Sequence, residues 1–290
     1  MLTLRHAPKV LAVLILMAGI FASTTYSETA GAAAPKQSKG DVVNGRAVYE
    51  LSEQERKALT FDAGPETRPM VQFFTSDANP ICNDAVKWIA TLTQKEGQLW
   101  KNFVPIAMHV RLWDSSRYRD AYAKDDFDVF IKSYSLLWSL SHVFVPLVVV
   151  NGMEWAGWAR GQDIPLANGA KGGMLHVDGT ERPNNYNAIF KPDSTIDTAG
   201  GLQFHSALLG FGLQSRPSDG KNRGNVLSHD FIALLYKSAV LKSGGDGWKA
   251  SVELPKPRGF RRVRFAVVFW VTKNGSPIPL QAVGGFLPGA

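Results

Sequence analysis

Sulfur chemistry has one place to occur in this 290-residue chain, because Cys82 is its only cysteine. The thiolate is the form that attacks a disulfide, and a helix N-terminus or a nearby cation favours it. Cys82 lies in Phe73–Val86, read FFTSDANPICNDAV, where an apolar stretch passes through a short polar turn into a helix beginning near Pro80. Asn79 has the attributes of an N-cap and Pro80 those of a first helical residue, which places the Asn79 side chain at the positive end of that helix. The spacing Asn79-x-x-Cys82 thus carries an amide and one thiol. One sulfur cannot close an intramolecular disulfide, so a dithiol is excluded and only a mixed disulfide with a partner is open to Cys82. A competing reading is architectural. Cys82, Ala85, Val86, Ile89 and Leu92 share one apolar helix face, which makes Cys82 a small buried hydrophobe, and capping alone accounts for Asn79.

Other residue types that could do chemistry are scattered. His109, Trp113 and Asp114 follow a strand end, where side chains of open α/β folds project toward a crevice, and they read as a satisfied hydrogen-bonding cluster. His109, His142, His176, His205 and His229 show neither the i, i+4 helical pairing nor a clustered spacing with Cys or carboxylates, so no metal site is expected. Ser228, His229 and Asp230 are adjacent in sequence, and adjacent side chains point different ways, so they do not form a triad. Neither G-x-G-x-x-G nor G-x-x-x-x-G-K-[ST] occurs, and no cofactor is expected. Trp155 and Trp158 flank Gly157 and read as core rather than as a ligand platform.

The elements that must position these residues follow from hydrophobic pattern. Met70–Phe74 reads as a buried strand, Pro80 to about Gln94 as a helix, and Val104–Val110 as a strand buried on both sides. Phe127, Phe130, Ile131, Tyr134, Leu137 and Trp138 recur at helical spacing after the cap-like Asp125 and Asp126. Val143–Val150 is a strand interrupted by Pro146, and Asn151-Gly152 turns it back into Glu154–Trp158. The order is β-α-β-α-β-β. Residues 166–201, rich in Gly, Asn, Asp and Pro, read as an irregular linker or insertion. Beyond them Leu202–Ser215, Trp248–Leu254, Val263–Thr272 and Ile278–Phe286 read as strands, and Val226–Val240 mixes helical and strand signals.

Composition and charge set the address. With 45% hydrophobic residues the chain can bury a sizeable core. Arg5 and Lys9 precede the apolar run Val10–Phe21 and the small or polar residues 22–27, the layout of a secretory signal with cleavage after Ser27. The run is shorter than the roughly 20 apolar residues a membrane span requires, so no stable span is expected after cleavage. Losing Arg5 and Lys9 lowers the 32 basic residues to 30 against 25 acidic, a net charge of +5. That modest excess reads as solubility or weak attraction to anionic envelope surfaces, with no nucleic-acid partner. Residues 28–65 read as a flexible leader.

Several stretches match a known family. They are Phe74-Thr75-Ser76, Ala107–Asp114 (AMHVRLWD), Val145–Gly152 (VPLVVVNG), Gly220–His229 (GKNRGNVLSH) and the closing Pro279–Leu287 strand. The chain resembles the exported bacterial thioredoxin-like proteins grouped as domain of unknown function 1223. The resemblance implies an α/β thioredoxin-like domain over 66–165 followed by a small, mostly antiparallel β domain over 202–290. It also implies a Cys-x-x-C at the strand–helix junction, with Pro146 as a cis proline facing it. Asn79 stands where that pattern has its first, attacking cysteine, and Cys82 falls on the second. The expectation is an exported protein, periplasmic or secreted, that lacks dithiol activity. It would bind an envelope protein or an extended peptide in a crevice bordered by Asn79, Trp113, Val145 and Pro146. The alternative is a monothiol thiol–disulfide oxidoreductase with Cys82 as its catalytic residue.

Overall fold

A computed structural model describes residues 59–166, 169–260 and 263–288, together with residues 42–43 and 46–47. The expected signal segment 1–27 and most of the expected leader lie outside the described residues. Strands β1 (Val42–Val43) and β2 (Arg46–Ala47) pair antiparallel. After β3 (Thr60–Ala63) comes β4 (Met70–Thr75), every residue of which is buried. It runs into a 3-10 turn, Pro80–Cys82, and the α-helix Asn83–Thr91. Strand β5 (Val104–His109) then leads to the α-helix Asp125–Leu137, and β6 (Leu147–Val150) and β7 (Met153–Glu154) form a hairpin. Its turn residues Asn151 and Gly152 have φ of 52° and 78°, the left-handed pair that a two-residue hairpin turn requires.

Beyond the 3-10 turn Gly157–Arg160, the regular elements among the described residues are strands. They are β8 (Met174–Gly179), β9 (Asn185–Lys191), β10 (Leu202–Gly210), β11 (Leu213–Ser215), β12 (Leu227–His229), β13 (Ile232–Val240), β14 (Lys242–Gly244), β15 (Gly247–Glu253), β16 (Phe265–Lys273) and β17 (Pro279–Phe286). One eight-stranded sheet runs β17-β16-β10-β13-β5-β4-β6-β7, and a five-stranded sheet runs β14-β15-β9-β8-β3. β11 and β12 pair separately.

Alternation along β16 decides how these layers pack. Ala266, Val268 and Trp270 enter the core that holds Phe127, Phe130 and Tyr134 of the Asp125 helix, whereas Phe265, Val267, Phe269 and Val271 enter the core shared with the five-stranded sheet. Period-two projection of side chains requires this split. On β4, Gln72 and Phe74 meet Tyr134 of the Asp125 helix. The opposite parity, Thr75, meets Cys82 at the start of the other helix. The large sheet therefore carries the Asp125 helix on one face. Its other face is covered by the Asn83 helix at the β4 end and by the five-stranded sheet at the β16 end.

This corrects the expected fold class. Strand dominates, the described residues contain two α-helices, and the structure is not an α/β thioredoxin-like domain followed by a separate small β domain. The finding that overturns it is sheet continuity: Ala107 of β5 pairs in parallel with Ile232 of β13, and its N–H donates to the Phe231 carbonyl at 2.9 Å. The stretch 166–201 is likewise not an irregular linker, since β8 and β9 lie within it. Only one face of each is apolar, Leu175 and Val177 in β8 and Tyr186, Ala188 and Phe190 in β9, and the short alternation is masked by polar partners. Strand β3 sits in what reads as leader and pairs with β8.

Because Ala207, Leu209, Phe231, Val268 and Trp270 belong to the same core as β4 and β5, a fragment ending at residue 201 should not fold on its own. It is expected to unfold in urea without a cooperative transition, while the full chain shows one; a sharp transition in the fragment would contradict the continuous-sheet description.

Candidate functional site

β4 ends between two neighbours. Thr75 pairs with His109 of β5 and its carbonyl accepts from the Val110 N–H at 2.9 Å, while on the other side Phe74 pairs with Leu147, the first residue of β6. The segment before Leu147 holds Val145 and Pro146, joined by a cis peptide bond. Trp113 closes the 3-10 turn Arg111–Trp113 that follows β5. Trp113, Val145, Pro146 and the turn carrying Asn79 are thus gathered at one end of the sheet.

Within that turn, the Asn79 side chain accepts from the Ile81 N–H at 3.2 Å, so it caps the 3-10 turn as its residue type predicts. Cys82 is 1% exposed and belongs to the same core as Val145. Burial pushes its thiol above the usual cysteine range, outweighing the Thr75 hydroxyl and the Ser76 backbone, which pull it down. Trp113 is half-buried against this core, and Val145 is 6% exposed. Ile81, by contrast, is 70% exposed. Trp155 and Trp158 pack on Trp88 of the Asn83 helix with ring centroids 5.6 and 6.2 Å away, as core side chains.

Beside the junction lies a cluster that sequence reasoning did not assemble. Asp77, two residues past β4, is 2% exposed, and its N–H donates to Asp120 Oδ2 at 2.9 Å. Its Oδ1 lies 3.8 Å from His109 Nδ1 and 3.4 Å from His229 Nε2. Its Oδ2 accepts from the hydroxyls of Ser215 and Tyr118. His109 Nδ1 is also 2.8 Å from Asp120 Oδ2. Burial acts to lower the His109 pKa, but Asp120 and Asp77 together outweigh it and raise it. Burial likewise acts to raise Asp120, but His109 and the N–H groups of Asp77 and Tyr122 prevail and hold its carboxyl at about 2. Asn222 donates to the Asp77 carbonyl at 3.0 Å and exchanges amide hydrogen bonds with Asn83, which fastens the helix start to the loop before β12.

The β11–β12 pair brings in the remaining members. Leu213 pairs with His229 and Ser215 with Leu227. Ser215 Oγ lies 2.9 Å from His229 Nε2, the same nitrogen that faces Asp77. A serine relay needs the hydroxyl and the carboxylate on opposite ring nitrogens, so this is not one. The adjacency Ser228-His229-Asp230 is also no triad, because Asp230 accepts from the Gly212 N–H and Ser228 is exposed. Of the residues His109, Trp113 and Asp114, the cluster includes His109 directly and Asp114 through its bond from the Asp120 N–H at 3.0 Å. Asp77, Asp120, Ser215 and Asn222 were missed. For Asp77 and Asn222 the usable signal was position, just past the end of β4 and inside the Gly220–His229 stretch; Asp120 and Ser215 carried none.

Two outcomes follow for the thiol. The native protein is expected to leave Cys82 unlabelled by a maleimide on the timescale that labels it fully in denaturant, and to give no catalysed reduction of insulin disulfides; rapid native labelling would contradict the burial.

Comparisons with known proteins complete the description of the site. A family model described as "Protein of unknown function (DUF1223)" matches residues 70–272. A search of curated proteins gives no match. Among solved structures, an X-ray crystal structure of an Agrobacterium tumefaciens protein is similar with 17% identity and a TM-score of 0.43, over 79% of this chain and 97% of its own. HBP35 of Porphyromonas gingivalis is similar with 13% identity and a TM-score of 0.49, over 78% of this chain and 77% of its own.

Proposed function

We propose that this chain, which belongs to the family of proteins of unknown function DUF1223, is an exported, non-redox binding or accessory protein. In this reading it holds an extended segment of an envelope protein noncovalently at the β4 end of its large sheet. The observation that carries the reading is the arrangement of that end. Cys82 and Val145 are buried and apolar there, Asn79, Trp113 and Pro146 are half-buried, and Ile81 stands 70% exposed.

Single exposed apolar residues are ordinary on a protein surface, and Ile81 is set apart by its place in the capped turn at the sheet end that also carries Trp113 and Pro146. An extended peptide suits such a sheet end because side chains alternate along it, so that apolar groups can meet Ile81 and Trp113 while its backbone lies across the turn. Thiol exchange has less support. A buried thiol with a raised pKa is a poor nucleophile, and Asn79 cannot replace an attacking cysteine. Export rests on the Arg5–Ser27 pattern described above, and the modest positive charge suits an anionic envelope.

The test separates Ile81 from the thiol. Envelope proteins captured by the wild-type chain should be recovered equally with and without reductant and from Cys82→Ser, and capture should fall about tenfold or more in Ile81→Asp, whose exposed position leaves the circular dichroism spectrum unchanged. Capture that persists in Ile81→Asp and is lost in Cys82→Ser would replace this reading with monothiol exchange.

A further inference from the structure

We propose that Asp77, His109 and His229 form a binding site for a divalent transition-metal ion of the zinc or iron(II) class. The three donors come from three separate segments, all are 2% exposed or less, and one ligand atom from each lies within 4.8 Å of the others. Two imidazoles and one carboxylate are the donor set that suits such ions, whereas magnesium and calcium prefer oxygen alone.

His229 Nε2 and His109 Nδ1 hydrogen-bond Ser215 Oγ and Asp120 Oδ2 at 2.9 and 2.8 Å, bonds that coordination would replace, and their spacing from Asp77 suits a shared ion. Asp77 Oδ1 stands 3.4 Å from His229 Nε2 and 3.8 Å from His109 Nδ1. Both separations exceed the roughly 2.7–3.2 Å of N–H···O bonds. Donors about 2.0–2.2 Å from a common zinc ion lie about 3.3 Å apart in a tetrahedron, close to the first separation and within a small adjustment of the second.

The carboxylate is also divided as a monodentate ligand should be. Oδ1 faces both imidazoles, and Oδ2 is occupied by the hydroxyls of Ser215 and Tyr118. Outer partners of this kind orient a ligating carboxylate and tune its affinity. Asp120 Oδ2 lies 2.8 Å from His109 Nδ1 and accepts from the Asp77 N–H, so it orients two of the three ligand residues. This inference is independent of the peptide-binding reading, since none of its three ligands is exposed as Ile81 is.

The full chain, freed of metal with a chelator and titrated with Co2+, provides the test. Expected are one Co2+ per chain, visible d–d absorption, displacement by Zn2+ but not by Mg2+, and perturbed proton resonances of His109 and His229 with those of His142 and His176 unchanged. His229→Gln should abolish binding, and Ser215→Ala should weaken it about 10- to 100-fold. The resonance shifts are read in the wild-type chain, so they decide the matter even where a variant fails to fold. Absence of saturable binding, perturbation of His142 or His176 instead, or binding that survives His229→Gln in a folded variant would overturn the site.

Discussion

Burial of the Asp77 carboxylate against two imidazoles is the constraint around which the functional end of this molecule is built. Removing a carboxylate from water costs several kcal/mol even after relaxation, and the cost is offset only where every lone pair finds a partner. Asp77 is held by several segments at once. Its N–H donates to Asp120, its Oδ2 accepts from Ser215 and Tyr118, its Oδ1 lies 3.4 and 3.8 Å from the two imidazoles, and its carbonyl accepts from Asn222. Removing one partner from such a cluster leaves a buried polar group unsatisfied, a loss of roughly 1–3 kcal/mol for a neutral partner. The strand end, the loop after β5 and the β11–β12 pair are held in register by that penalty.

The junction at Asn79 inherits its form from this arrangement. Asn222 ties the Asp77 carbonyl to Asn83, so the turn between them has little freedom, and the Asn79 side chain is committed to capping. Cys82 then faces Thr75 and the apolar core, and Asp77 and Asp120 lie near enough to add to the burial that raises its pKa. Cys82 behaves as a core side chain, and the titratable groups that could bind or position a ligand are Asp77, His109, Asp120 and His229.

Much of the local structure was legible in the sequence. The run Met70–Phe74, the Asn79-Pro80 start, the helical spacing from Phe127 to Leu137 and the Asn151-Gly152 turn all became the expected elements, because each is fixed by local pattern or backbone preference. The fold class was not legible. Whether β13 joins β5 or begins a second domain depends on one parallel contact, Ile232 with Ala107, between residues far apart in the chain. β8 and β9 escaped notice because a strand apolar on one face only, and set among Gly, Asn and Asp, carries a weak signal. The buried cluster was illegible for a similar reason. Its members are single residues from distant segments, and no spacing rule relates Asp77 to His109, Ser215 and His229.

The central claim is that this buried cluster joins the three segments into one cooperative unit. Native-state hydrogen exchange of the Asp77 and Tyr122 amides, both of which donate to Asp120, tests it most directly. Both amides are predicted to exchange only through global unfolding, with the same free energy as the Phe73 amide in the centre of β4. Exchange of Asp77 or Tyr122 through a local opening of distinctly lower free energy, with Phe73 still protected, would contradict it.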